Sequence, residues 1–373
     1  MIRFFFIFSL IFSNIFGEDF YEGDSLIRVG VYAFYNYDYD RAIDVLTTAR
    51  KKFPDHPRVH MVWAASRWVR AQSLYSTDRS NQVLEDDLAS IKPIYKILSE
   101  KYDYDPNYLL YQGSAIGLSA RVTLGKKKWL KTLYRAYTGF SIIDNIFEEH
   151  SQIYDAYLPI GIIEYYCGIS NSILKWPAMA YGMNPSIESG LDKIEISAEK
   201  GEWSWIEAKG ILSYLYLWVE EDPIMAYKHS KDLIKNFPNN FYFNILYLES
   251  SIRTGNKFEV PIILDHLNKK FDELTPRQKE WYLPYLNYEK ALYLFYQKDY
   301  KEVIDLLDLT INNYSAELDI ILGNALLLKG MTYDMMNKRN QAKSSYMKCK
   351  KLDNLSLSIK KANRYLNQPY QGR

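Results

Sequence analysis

Apolar residues recur at three- and four-residue spacing along most of the chain, and alternating apolar–polar runs are scarce. That pattern predicts helices over 24–36, 39–52, 57–75, 83–102, 106–124, 127–150, 155–174, 186–200, 203–219, 223–236, 240–254, 259–271, 276–297, 300–313, 316–337, 339–352 and 354–366. Short polar breaks separate them, among them Phe53-Pro54-Asp55-His56-Pro57 and Phe237-Pro238-Asn239-Asn240. Proline just beyond a helix end is a stop signal, because its ring cannot continue the hydrogen-bond ladder. Pro93 falls inside a helix and is expected to kink or split it. The fold class is therefore all-α, with more than about 60% helix expected for a chain of helix pairs.

Internal repeats refine that class. Leu26, Gly30, Ala42 and Ala49 return as Leu326, Gly330, Ala342 and Cys349, each displaced by 300 residues. Tyr346 stands in the place of Leu46, and Tyr333 and Pro54 complete the two units. The stretch 35–46 also matches 296–307, with six of twelve pairs identical. A weaker copy keeps Ala226, Leu233 and Pro238. Small residues at Gly30 and Ala42 let the two helices of a pair approach closely, and the larger Leu46 and Tyr346 are expected to fill the gap to the next pair.

These units resemble tetratricopeptide repeats, whose pattern recurs about every 34 residues. The resemblance is good over about 24–57 and 276–353 and degenerate between, and Ala291 and Gly330 stand 39 residues apart, so the period is stretched. It implies a right-handed α-solenoid whose concave face binds peptides or proteins, each unit resting only on its neighbours. The residues that follow the leader, 18–373, read as one such solenoid.

One stretch departs from the pattern. Pro159, Gly161, Gly168, Pro177, Gly182, Pro185 and Gly190 are interleaved with Tyr165, Tyr166, Trp176 and Tyr181, and Trp203 and Trp205 follow. The arrangement Gly168…Trp176-Pro177…Gly182-Met183…Gly190-Leu191 is similar to the central region of a eukaryotic repeat family linked to the mitochondrial outer membrane. The aromatic residues here either form a groove that grips a partner or fill a joint between two half-solenoids.

The amino terminus reads as an address. Met1-Ile2-Arg3 precedes an apolar run, Phe4 to Phe12, that only Ser9 interrupts, and Gly17 stands before Glu18-Asp19. A positive start, a short apolar run and a small residue before acids fit a secretory signal peptide over 1–17. The alternative is an uncleaved anchor. The expected location is outside the cytoplasm, periplasmic or extracellular, with envelope association possible through the chain's basic end.

Charge narrows the classes further. The chain has 46 basic and 45 acidic residues, which gives no general attraction to nucleic acid. Residues 338–373 hold ten basic residues and one acid, Asp353, so peripheral contact with an anionic membrane is one reading and a solvated last helix the other. Lys127, Lys131 and Arg135 recur at four-residue spacing beside Trp129, as a site for an acidic partner or as solvated surface.

Catalytic and cofactor motifs are missing from the sequence: no phosphate loop, no His-Glu-x-x-His, no Cys-x-x-Cys and no Gly-x-Ser-x-Gly. His56 and His60 have ligand-like spacing, but Pro57 between them marks a helix start and sets His56 off its face. Cys167 and Cys349 read as two buried thiols. The expectation is a non-enzymatic exported scaffold or adaptor that needs no cofactor or metal. It binds a protein or peptide on its concave surface, with cell-envelope assembly as one setting. The alternative is a helical repeat protein that binds a glycan or small ligand. Candidate partner-binding residues are Tyr165, Tyr166, Trp176, Tyr181, Trp203, Trp205, Lys127, Lys131 and Arg135.

Overall fold

The computed structural model describes residues 21–372, apart from 127, 171, 181, 316–318, 353 and 355. Helices make up 80% of the chain, and no strand occurs among the described residues. The first helices are α1 (Asp24–Tyr35), α2 (Tyr39–Lys52), α3 (Val59–Leu74), α4 (Thr77–Lys101), α5 (Pro106–Gly125) and α6 (Trp129–Glu149). The centre holds α7 (Tyr157–Ile169), α8 (Ser172–Ala180), α9 (Ile187–Lys200), α10 (Trp205–Trp218), α11 (Pro223–Asn236) and α12 (Phe241–Arg253). The rest are α13 (Glu259–Glu273), α14 (Pro276–Gln297), α15 (Tyr300–Asn312), α16 (Ile320–Met335), α17 (Arg339–Lys350) and α18 (Leu357–Asn367). Most helices pack chiefly on their neighbours in sequence, as in a stack of helix pairs, and α7, which packs chiefly on α9, is an exception.

Local chemistry sets the ends. The side chains of Asp105, Ser186, Asp222, Asn240 and Thr275 each accept a hydrogen bond from the backbone of the first turn they precede. α2 and α11 stop at Lys52 and Asn236, two residues before Pro54 and Pro238. Pro93 does not split its helix, since α4 runs unbroken from Thr77 to Lys101.

Inside the pairs the repeat pattern has a different geometry from the one expected. A Cβ on Gly30 would meet Leu46 Cγ at 2.5 Å. A Cβ on Gly330 would meet the Tyr346 ring in the same way. Leu46 and Tyr346 therefore fill the space over the glycine of their own pair. Tyr346 also reaches the next helix, its ring 5.8 Å from that of Tyr365 in α18.

The irregular centre is helical too. Residues 155–190 form α7, α8 and the start of α9, where one helix over 155–174 was expected. A Cβ on Gly190 would lie 2.6 Å from the Tyr165 backbone nitrogen and 2.8 Å from the Gly161 carbonyl oxygen. Glycine is needed there because α7 and α9 cross backbone to backbone. Lys193 Nζ and Ser189 Oγ both donate to Glu164, at 2.7 and 2.8 Å, and hold the crossing.

The chain also closes on itself, which a simple stack of neighbours does not do. α3 packs against α14, and Thr275 Oγ1 donates to the Ser73 carbonyl. Asn240 Nδ2 donates to the Tyr35 carbonyl at 2.8 Å, and the hydroxyls of Tyr37 and Tyr282 meet at 2.8 Å. Lys361 of α18 pairs with Glu221. The largest buried apolar cluster accordingly joins Ile27 and Leu46 to Phe237, Phe241, Leu286 and Ile321. The first helix pair thus packs against the later helices, with Tyr32 and Tyr35 set on Phe237.

Candidate functional site

Closure encloses an interior lined by rings. α10 contributes Tyr214, α12 Tyr242, and α14 Trp281, Tyr282 and Tyr285. Tyr39 of α2 and Trp68 of α3 complete the aromatic wall, and Arg121 of α5 supplies a guanidinium. Together with Gln72 and Gln278 they surround a cavity of about 290 Å³. Tyr166 of α7 stands at the same inner face, within hydrogen-bonding reach of Tyr214 and close enough to Arg121 for its charge to act on it. It keeps 37% of its surface accessible although neighbouring walls crowd around it.

Burial pushes the hydroxyls of Tyr214, Tyr242 and Tyr282 well above the ordinary tyrosine range, and that of Tyr285 up to about 12. They are thus neutral groups at physiological pH, each able to donate and to accept. Arg121 lies over Trp68, its guanidinium carbon 5.9 Å from the ring centroid. Trp68 Nε1 is buried without a hydrogen-bond partner.

A second cavity of about 380 Å³ adjoins the first and shares Tyr39, Ser73 and Gln278 as walls. Its lining is polar, and two ion pairs lie in it: Arg70 pairs with Asp40 at 2.6 Å and Lys270 with Glu273 at 2.8 Å.

The residues singled out from the sequence scatter. Among the described central rings, Tyr166 is the one placed at this interior. Tyr165 is fully buried, and its hydroxyl donates to Glu220. Trp176 projects from α8 with 71% of its surface exposed, so it fills no joint. Trp203 is a structural ring: the guanidinium carbons of Arg28 and Arg58 sit 4.2 and 4.9 Å from its centroid. Both arginines pair with Glu202, and Arg58 also pairs with Asp24 at 3.2 Å. Trp205 stacks on Phe237 at 5.9 Å. Lys131 is exposed, while Arg135 donates to the Ser119 carbonyl at 2.8 Å and pairs with Glu85 at 3.6 Å, tying α6 to α5 and α4. Lys127, Tyr181 and the leader 1–17 lie outside the described residues.

Sequence reasoning missed Tyr214, Tyr242, Trp281, Tyr285 and Arg121. The available signal was the density of tyrosine and tryptophan on α10, α12 and α14, rings with one polar end where leucine would serve a sealed core.

Other chemistry-bearing groups are built into the scaffold. His56 bonds Asp24 at 2.8 Å, and its other ring nitrogen accepts from the Arg58 amide. His60 lies between Arg50 and the Pro54 carbonyl, at 2.9 and 2.8 Å. Cys167 and Cys349 are buried, and burial pushes both thiols up to about 11. No described helix is long and apolar enough to cross a membrane.

Comparison with solved structures gives low-scoring likenesses. A tetratricopeptide repeat protein from Parabacteroides merdae is 10% identical, covering 93% of this chain and 99% of its own, with a TM-score of 0.30. Yeast Tom70 is 12% identical over 92% of this chain and 88% of its own, also at 0.30. The P58(IPK) tetratricopeptide domain is 11% identical over 93% and 99%, at 0.24. No family model matches, and no curated protein matches by sequence.

Proposed function

We propose that the chain is a non-catalytic interaction scaffold, exported from the cytoplasm and working at the cell envelope, which binds a protein or peptide partner on its inner face. The observation that carries this reading is the convergence of Tyr166, Tyr214, Tyr242 and Tyr285, from four separate helices, on one accessible interior. Tyrosine rings give large, rigid contact area at low entropic cost, and their hydroxyls satisfy a partner's backbone. The engagement of His56, His60, His229 and His266 in structural hydrogen bonds accords with a role without chemistry.

Export rests on residues 1–17, and N-terminal sequencing of native material tests it: a mature protein starting near Glu18 supports it, and a retained Met1 points to an anchor. For binding, tagged wild-type chain and a Tyr214→Ala/Tyr285→Ala variant are compared in capture from the host. The expected result is a partner lost by this inner variant and kept by Lys131→Glu on the outer surface. Equal loss in both variants, or none in either, overturns the inner-face assignment.

A further inference from the structure

We infer that the outer face of α17, continued on α18, docks on an anionic membrane surface. The inward side of α17 fixes its orientation: Ala342, Tyr346 and Cys349 are fully buried in a cluster with Leu326 and Leu327 of α16. The opposite side carries Lys343, Met347 and Lys351 at four-residue spacing, with Lys350 beside them, and all four are exposed. α18 packs on α17 and exposes Lys360 and Arg364, one helical turn apart. Neither helix contains an acid, and none of these five cations has an acidic partner among the described residues. Elsewhere surface lysines are held: Lys209 by Asp232 at 2.5 Å, Lys269 by Asp265 at 2.6 Å and Lys270 by Glu273 at 2.8 Å. Helix C-termini favour cations, which accounts for Lys350 and Lys351. It does not account for Lys343 and Lys360, which stand in the first halves of their helices.

The chemistry favours a bilayer over an acidic polypeptide. Neither cavity described above is lined by α17 or α18, and an outward helix face suits a plane. Lysine carries a compact charge on a long stem, which matches a spread of headgroups, whereas the planar fork of arginine matches a fixed carboxylate. The arginine of α17 is used within the fold: Arg339 pairs with Asp334 at 3.0 Å and donates to the Tyr365 and Leu366 carbonyls, both at 2.8 Å. Met347, 50% exposed amid the lysines, supplies an apolar side chain to enter the interface. Each lysine brought to an anionic surface strengthens binding about fivefold, so three together strengthen it about a hundredfold. The setting of this face rests on the envelope reading above.

Vesicle sedimentation with the full chain tests the face, using phosphatidylcholine vesicles with and without about one-third phosphatidylglycerol. The leader 1–17 is common to every variant, and phosphatidylcholine alone measures its share. Wild type is expected to prefer the anionic vesicles about a hundredfold, and Lys343→Gln/Lys350→Gln/Lys351→Gln or about 0.5 M salt to abolish that preference. Lys131→Glu leaves it intact, and Met347→Ala weakens binding a few-fold without altering its salt dependence. Circular dichroism and melting of the variants control for folding. If the triple variant does not fold, Lys350→Gln/Lys351→Gln at the helix end decides the matter, with a preference reduced to about fivefold. Equal binding of wild type to both vesicles, or a preference unchanged by the lysine variants, overturns the inference. So does tighter binding of poly-glutamate than of anionic vesicles at equal charge, which assigns the face to an acidic protein. A chain that fails here yet keeps its inner-face partner in the capture experiment loses the membrane face and retains the scaffold reading. A chain that docks yet captures nothing keeps the face alone.

Discussion

The helix pairs at either end and the crossing at the centre both use glycine, and they use it differently. In α1–α2 and α16–α17 the glycine makes room for a side chain, Leu46 or Tyr346. In α7–α9 Gly190 makes room for another backbone. A side chain can rotate away from an intruding methyl group, whereas a backbone held by its own helix cannot. The terminal pairs are therefore adjustable joints and the centre a rigid one, although by composition the centre is the part rich in helix-breaking residues.

The largest expected effect separates the two. Gly190→Ala places a methyl group 2.6 Å from the Tyr165 nitrogen. It should cost about 2–3 kcal/mol, since overpacking outweighs the roughly 1 kcal/mol that alanine gains in a helix. In Gly30→Ala the new methyl group meets the branch point of the buried Leu46, which can shift its rotamer, and the loss should be smaller, about 1 kcal/mol. Urea unfolding of the two variants measures both. Equal losses would erase the distinction between the joints.

A smaller effect, growing with pH, comes from the regular half. Between α12 and α14 the wholly buried Glu249 accepts from Trp218 at 2.6 Å and pairs with Arg253 at 2.6 Å. Glu289, equally buried, finds no donor for either oxygen. Burial first, and the Glu249 carboxylate second, push the Glu289 carboxyl well above its ordinary range. The folded chain thus keeps a proton that the unfolded chain releases above about pH 4.3. Its contribution to stability is complete below that pH and is lost as pH rises through the raised value. Glu289→Gln, neutral throughout, should match wild type at pH 5 and exceed it at pH 8. An unchanged difference between the two pH values would show that Glu289 is ionised in the folded state. No comparable buried acid pair occurs among the described residues of the α7–α9 crossing, where Glu164 meets Lys193.

Much of the fold was legible because it is written locally. α2 and α11 begin and end where apolar spacing and proline stops placed them. The interior was not legible, because it depends on meetings such as Tyr37 with Tyr282 and Asn240 with Tyr35, which no local periodicity encodes. α8 was missed as a separate helix because Pro177 lies inside it and Gly182 soon after it, both of which lower helix propensity. Of the candidate rings, Tyr165, Trp203 and Trp205 were identified by type alone, and type does not distinguish a ring that holds a scaffold together from one that faces a partner.

The smallest expected effect falls at Trp176. Buried aromatic residues cost about 3–5 kcal/mol when cut to alanine. Trp176 retains 71% of its surface, and Met179, three residues on, retains 56%. The stabilising contacts of the centre run instead through Gly190, Tyr165 and the Glu164–Lys193 pair. Trp176→Ala should therefore shift stability by no more than about 0.5 kcal/mol, the usual range for surface changes. Thermal melting of this variant beside Gly190→Ala sets the smallest loss against the largest within one segment. A melting temperature that fell as far for Trp176→Ala would mean that the ring packs against the body of the chain, and the rigid joint would then include α8. An unchanged temperature leaves the joint as the α7–α9 crossing alone, with Trp176 a surface ring that can be changed freely in binding experiments.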